Sequence, residues 1–132
     1  TNLKVAEISN DPPMNVLKGF KDKDNLSFEN IFLKLPVHFK ALENKEFNFG
    51  IRASEVKLDD SGEEFEIELA EISGSETLLH LKRGNSKIIA LIEEVLNFKI
   101  HEKVKISFNV NKFYAFGDDE KLVSSPYGEM NG

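Results

Sequence analysis

Three histidines, His38, His80 and His101, are the only side chains in the sequence whose ordinary charge change falls near neutral pH. No two of them stand at the i, i+2 or i, i+4 spacing that gathers imidazoles on a metal, and none has a helical Glu-x-x-His partner. The spacing therefore predicts no metal site: His80 faces outward from a strand, and the other two sit at loop edges. Carboxylates are abundant, with Glu63, Glu64, Glu66, Glu68 and Glu71 on or beside the wet face of one strand. General acid–base work needs a carboxyl group whose pKa burial has raised, and a solvated row supplies the opposite. Such a row keeps a sheet face soluble and discourages edge-to-edge pairing. None of the eight glycines falls in a G-x-x-x-x-G-K-[ST] or G-x-G-x-x-G pattern, so no phosphate cradle is present. Ser73-Gly74-Ser75-Glu76 has two readings, an oxyanion held by backbone N–H groups and hydroxyls, or a tight turn that needs Gly74 for its backbone. The turn is the simpler. Ser124-Ser125 has no visible base partner, and no catalytic, cofactor-binding or metal-binding residue is assigned.

The elements that must position these residues read as strands. Phe47, Phe49 and Ile51 alternate with polar neighbours. So do Phe65, Ile67 and Leu69, and Val104, Ile106, Phe108 and Val110. Period two puts successive side chains on opposite faces of a strand, one apolar and one wet. Met14–Phe20 and Ser27–Leu35 read as two more strands joined by a charged turn at Lys21–Asn25. Asp59-Asp60-Ser61-Gly62 reads as a turn between strands, and Gly84-Asn85 as the loop of a hairpin joining Thr77–Leu81 to Ile88–Ile92. Gly117-Asp118-Asp119 turns the chain after Tyr114–Phe116. Leu91–Phe98 is expected to be a loop or one helical turn. Thr1–Ile8 has an apolar side suited to a short helix, stopped by Asn10-Asp11-Pro12-Pro13. The expected fold is all-β, an OB-like or MOP-like small barrel or sandwich of eight to ten short antiparallel strands, with a short N-terminal helical segment.

Size and composition narrow the function. A chain of 132 residues is one domain with one core. Cysteine is absent, which excludes disulfides, thiolate zinc sites and cysteine nucleophiles. Seventeen Lys and Arg against 23 Asp and Glu give a net charge of −6. Lys82 with Arg83, and Lys103 with Lys105, make no basic stripe, so nucleic acid is not an expected partner. No run is long and apolar enough for a membrane-spanning helix, and no signal peptide opens the chain.

Four stretches carry a resemblance. Asn10-Asp11-Pro12-Pro13-Met14-Asn15 is similar to a Gly-Ser-Pro-Pro-Met-Asn pattern followed by a hydrophobic strand. Phe49-Gly50-Ile51-Arg52-Ala53-Ser54-Glu55-Val56-Lys57-Leu58 resembles Leu-Gly-Ile-Arg-Pro-Glu-(acidic)-Val-x-Leu, with Ala53-Ser54 in place of Pro-Glu. Glu71-Ile72-Ser73-Gly74-Ser75-Glu76-Thr77-Leu78-Leu79 matches Glu-x-Leu-Gly-Ser-Glu-Thr-Leu-Leu at nearly every place. Tyr114-Ala115-Phe116 stands where a His-Leu-Phe-Asp motif is usual, with Gly117 for the Asp. These stretches, in this order, resemble the transport-associated OB domain, or TOBE domain, at the C-terminal end of ABC-transporter ATPase subunits of the maltose and glycerol-phosphate importer kind.

The resemblance implies a regulatory domain without chemistry of its own. Residues 1–9 would be the tail of an upstream ATPase domain, consistent with a start at Thr1, residues 10–125 the TOBE domain, and 126–132 a flexible tail. ATP and magnesium would be bound by the ATPase domain, with no cofactor held here. The implied partners are a second copy of the subunit, that ATPase domain and, through it, the membrane subunits, at the cytoplasmic face of the membrane and without direct insertion. Gly50, Arg52, Glu71, Gly74 and Glu76 are the residues it marks as structural or interface candidates, and a buried Arg52 would need a carboxylate such as Glu71 or Glu76. Two other readings stand beside it: a free-standing module capturing an oxyanion at Ser73–Glu76, and an oligonucleotide-binding domain stacking bases on Phe113, Tyr114 and Phe116.

Overall fold

The computed structural model describes residues 13–117 and 121–126. The expected helix within Thr1–Ile8, the residues Asn10 to Pro12, the turn residues Asp118 and Asp119, and most of the expected tail lie outside the described residues. What is described is all-β, as the alternation predicts.

Among the described residues ten strands follow one another: β1 (Met14–Lys21), β2 (Asn25–Phe28), β3 (Ile31–Lys34), β4 (Glu46–Arg52), β5 (Val56–Ser73), β6 (Glu76–Arg83), β7 (Ser86–Ile92), β8 (Lys103–Phe108), β9 (Tyr114–Phe116) and β10 (Leu122–Ser124). They make two antiparallel sheets, one of six strands in the order β10-β9-β4-β1-β2-β3 and one of four in the order β7-β6-β5-β8. The apolar residues of the alternating segments meet between the sheets, where Leu17, Phe47, Phe49 and Ile51 pack with Phe65, Ile67, Leu79, Leu81 and Ile106. The result is a small two-sheet sandwich of OB-like kind. Phe113, from the link between β8 and β9, is fully buried and meets the rings of Phe28, Phe49 and Phe108 edge-on or tilted.

Several expected elements are redrawn by local chemistry. Ser27–Leu35 is not one strand but the hairpin β2–β3, reversed at Glu29-Asn30, where both residues have positive φ (49° and 64°). That is the backbone a two-residue type I′ loop requires, and Glu is an uncommon occupant of it. Its neighbours hold it there: Arg83 Nε donates to the Glu29 carbonyl at 3.2 Å, and Ser86 Oγ donates to its carboxylate at 3.0 Å.

Asp59-Asp60-Ser61-Gly62 does not separate two strands. Leu58 and Glu63 both face Ile106 on β8, so residues 59–62 form a large bulge inside the single strand β5. Asp59 accepts from both the Ser61 N–H (2.9 Å) and hydroxyl (2.7 Å), which closes the bulge on itself. A second, smaller irregularity at Glu68 shifts the β5–β6 register between Ile67 and Leu69. One inserted residue flips the following side chains, and Leu69, expected on the core face, is 44% exposed.

The last alternating run also stops early. β8 ends at Phe108, and Val110–Lys112 is a 3-10 turn in which the Asn109 side chain accepts from the Asn111 N–H. After β7, residues 93–102 form a loop without a helical turn. Thr77, fully buried, holds that loop by donating to the Glu94 carbonyl (2.7 Å) and accepting from the Leu96 N–H (2.9 Å).

Candidate functional site

Gly50 and Arg52 come together on the outer face of the six-stranded sheet. In the cross-strand registers Val16, Gly50 and Tyr114 lie in one row, Met14 and Arg52 in the next. Met14 and Phe116 are buried here, with Val16, Tyr114 and Leu122 packed against them as a small apolar cluster separate from the main core. Gly50 is closely covered: a Cβ at this position would lie 2.7 Å from the Met14 sulfur and 3.0 Å from the Phe116 ring, so any side chain must displace the methionine tip and press on the ring. The Gly-Ile-Arg stretch thus has a structural reason for its glycine.

Arg52 departs from expectation. Neither Glu71 nor Glu76 is its partner; the guanidinium lies over the Tyr114 ring, 5.8 Å from its centroid, and its Nη1 is buried without a hydrogen-bond acceptor among the described residues. The aromatic face supplies part of the stabilisation that a carboxylate would have given. No signal in the sequence named Tyr114 as this partner, although both residues fall on outward positions of neighbouring strands.

Glu71, Gly74 and Glu76 sit elsewhere, on the β5–β6 hairpin of the second sheet. Ser73 faces Glu76 across a two-residue reversal, and Gly74 carries a positive φ of 61° with open space around it. The need at position 74 is conformational. Residues 73–75 are all exposed, and no lysine or arginine is hydrogen-bonded there among the described residues. The turn gives the oxyanion reading no built pocket. Glu71 is bound to His80, whose Nε2 lies 2.7 Å from its Oε1.

His80 faces out of β6 as expected, and His101 sits in a loop with Nδ1 2.7 Å from Glu66 Oε2. His38 lies in a 3-10 turn with Nε2 2.7 Å from the Phe113 carbonyl oxygen. The glutamate row of β5 is not left to solvent alone. Lys103, on the adjacent β8, pairs with Glu64 (3.5 Å), and Lys87, on β7 one strand beyond β6, reaches Glu68 (3.8 Å), so cations of the same sheet face part of it. The hydrogen bond from His101 holds the Glu66 carboxyl below the usual glutamate range, aided by the charges of Lys82 and Lys103. Hydrogen bonds from Ser61, and a further one from Ser107, lower Asp59 in the same sense. No group of three or more metal-ligating side chains occurs among the described residues, nor any helix long and apolar enough to cross a membrane. The base-stacking reading falls on burial: Phe113 and Phe116 are inaccessible.

No family model matches the chain. Over 85 residues the chain is 32% identical to the multiple sugar-binding transport ATP-binding protein MsmK of Streptococcus mutans. The match takes in 58% of this chain and 22% of that protein, so the chain spans under a quarter of the relative's length. The similarity is to an ATP-binding transport subunit, and it is consistent with a non-catalytic part of such a protein.

Proposed function

We propose that the chain is a non-catalytic regulatory and dimerising domain of the TOBE type in an ABC-transporter ATP-binding protein serving carbohydrate import. The observation that carries this reading is the 32% identity with a sugar-transport ATP-binding protein. The order of the Pro-Pro-Met-Asn, Gly-Ile-Arg and Gly-Ser-Glu-Thr-Leu-Leu stretches and the two-sheet fold support it.

In this reading ATP and magnesium are bound by a separate ATPase domain, and the present domain contributes contacts that differ between transporter states. Such a domain acts as a coupling free energy, favouring the state in which its surface is engaged. The outer face around Gly50, Arg52 and Tyr114 is the surface assigned to a second copy of the subunit, on the cytoplasmic side of the membrane. The deciding experiment is to read the gene upstream of the Thr1 codon. An open frame of roughly two hundred codons carrying G-x-x-x-x-G-K-[ST] is the expected result; a start codon immediately before Thr1 would refute the proposal.

A further inference from the structure

A second feature of the molecule borders the Arg52 face, at the seam where the two sheets meet. β1 of one sheet runs beside β7 of the other. Asn15, 7% exposed, ties them by donating from Nδ2 to the Ile89 carbonyl (2.7 Å) and accepting at Oδ1 from the Ile89 N–H (2.6 Å). One amide thus satisfies both backbone groups of an edge-strand residue and fixes the spacing of the sheets. Beside it opens a cleft of about 320 Å³, within the size range of small-ligand sites. Val16 and Ile89 supply its accessible apolar walls, backed by the buried Met14 and Ile88, while Glu68, Lys87 and His80 bring polar groups to it.

The charges have a particular arrangement. Glu68 is the residue at the β5 register shift, and bulges of this kind re-aim a side chain. Its carboxylate stands 3.8 Å from the Lys87 ammonium, beyond hydrogen-bond distance, so the two charges face each other without closing a bond. His80 is already engaged by Glu71 at 2.7 Å. A carboxylate and an ammonium side by side over an aliphatic surface complement a molecule bearing the same two charges in reverse order. No phenylalanine, tyrosine or tryptophan ring lines the cleft, and its one imidazole, His80, is engaged by Glu71, so a sugar would lack the broad flat face on which pyranose rings stack.

We propose that this cleft binds a small zwitterion with an aliphatic side chain, an α-amino acid of the leucine or methionine kind. Its carboxylate lies on Lys87, its ammonium on Glu68, and its side chain on Val16 and Ile89. The inference does not rest on the transporter reading, but Val16 and Met14 also belong to the surface assigned to a second copy, so ligand and second copy would compete for them. At a partly open site a ligand this small should bind with a dissociation constant on the order of 0.1–10 mM.

The test is an amide NMR titration of the whole chain with L-leucine, up to about 20 mM, a range suited to such an affinity. Parallel titrations use 4-methylpentanoate, which lacks the ammonium, 3-methylbutylamine, which lacks the carboxylate, and glucose. Saturable shifts centred on Val16, Leu81 and Ile89 are expected with L-leucine, about tenfold weaker with either half-molecule and absent with glucose. Glu68→Gln and Lys87→Gln should each weaken binding about tenfold, and Lys105→Gln should leave it unchanged, with all three variants keeping the native spectrum elsewhere. Absence of saturation, equal binding of a half-molecule, or preference for glucose overturns the proposal.

Discussion

At the scale of single residues, Arg52 is the group whose energetics are least settled by its surroundings. A buried donor without an acceptor costs roughly 1–3 kcal/mol of desolvation, whereas removing it together with its charge can be neutral or better. Arg52→Met keeps the apolar stem beside Met14 and Tyr114 and removes the orphaned Nη1. In urea unfolding of the chain by itself, this variant is expected to lie within about 1 kcal/mol of the parent, on the stabilising side. A loss of more than about 2 kcal/mol would mean that the guanidinium is satisfied within the chain. Glu66 makes a second test at this scale. Its folded carboxyl is held low by His101, so the contribution of the pair is present above the ordinary glutamate range and is lost as pH falls through the depressed value. Carboxyl titration by ¹³C NMR should show Glu66 moving back up towards the usual range in His101→Ala. An unchanged midpoint would assign the depression to Lys82 and Lys103 instead.

At the scale of elements, the two devices that shape the fold are the β5 bulge and the Asn15 bridge. A Cβ at Gly62 would collide with the carbonyl of Ile106, which belongs to the facing strand and cannot move without opening the β5–β8 pairing. Gly62→Ala is expected to cost roughly 2–4 kcal/mol, read as a lower urea midpoint with an unchanged slope. Asn15→Ala strands both backbone groups of Ile89 and should cost about 2–3 kcal/mol by the same measurement. An effect of a few tenths would show that water replaces the amide. Neither device is legible in the chain alone. Period-two alternation revealed Phe47–Ile51 and Phe65–Ile67 because burial on one face acts at every second residue, and the Gly84-Asn85 hairpin was legible from its turn residues. A bulge shifts that register with a single insertion at Glu68, and Asp59–Gly62 has the composition of a turn whether the chain reverses there or continues. Glu29-Asn30 was missed for a related reason, since the contacts that hold its left-handed backbone come from Arg83 and Ser86, more than fifty residues away. Gly50 and Gly74 have backbone reasons that the chain alone does not display, a close approach and a positive φ, while Arg52 lies over Tyr114 and Glu71 is taken by His80.

At the scale of the whole molecule, charge and apolar surface make opposite demands on self-association. Each copy carries a net charge of −6, so two copies repel at long range. The surface proposed to join them, by contrast, is built on the Met14–Phe116 cluster with the Arg52 guanidinium beside it. A patch this small, without the linked ATPase domain, supports only a weak dimer, with a dissociation constant on the order of 10⁻⁵–10⁻³ M. The sign of the salt dependence tells which surface is used. If the apolar outer face makes the contact, salt screens the mutual repulsion over a Debye length of about 10 Å at 0.1 M and strengthens association. If the Glu–Lys face of the four-stranded sheet makes it instead, the same salt weakens the cross-chain ion pairs. Sedimentation equilibrium at about 0.05 M and 0.5 M salt is therefore expected to show more dimer at the higher value. Introducing a charge with Val16→Asp should abolish the dimer while leaving the main core intact. Association that falls with salt would move the interface to the four-stranded sheet, and a strict monomer at millimolar concentration would remove self-association from what this domain does unaided.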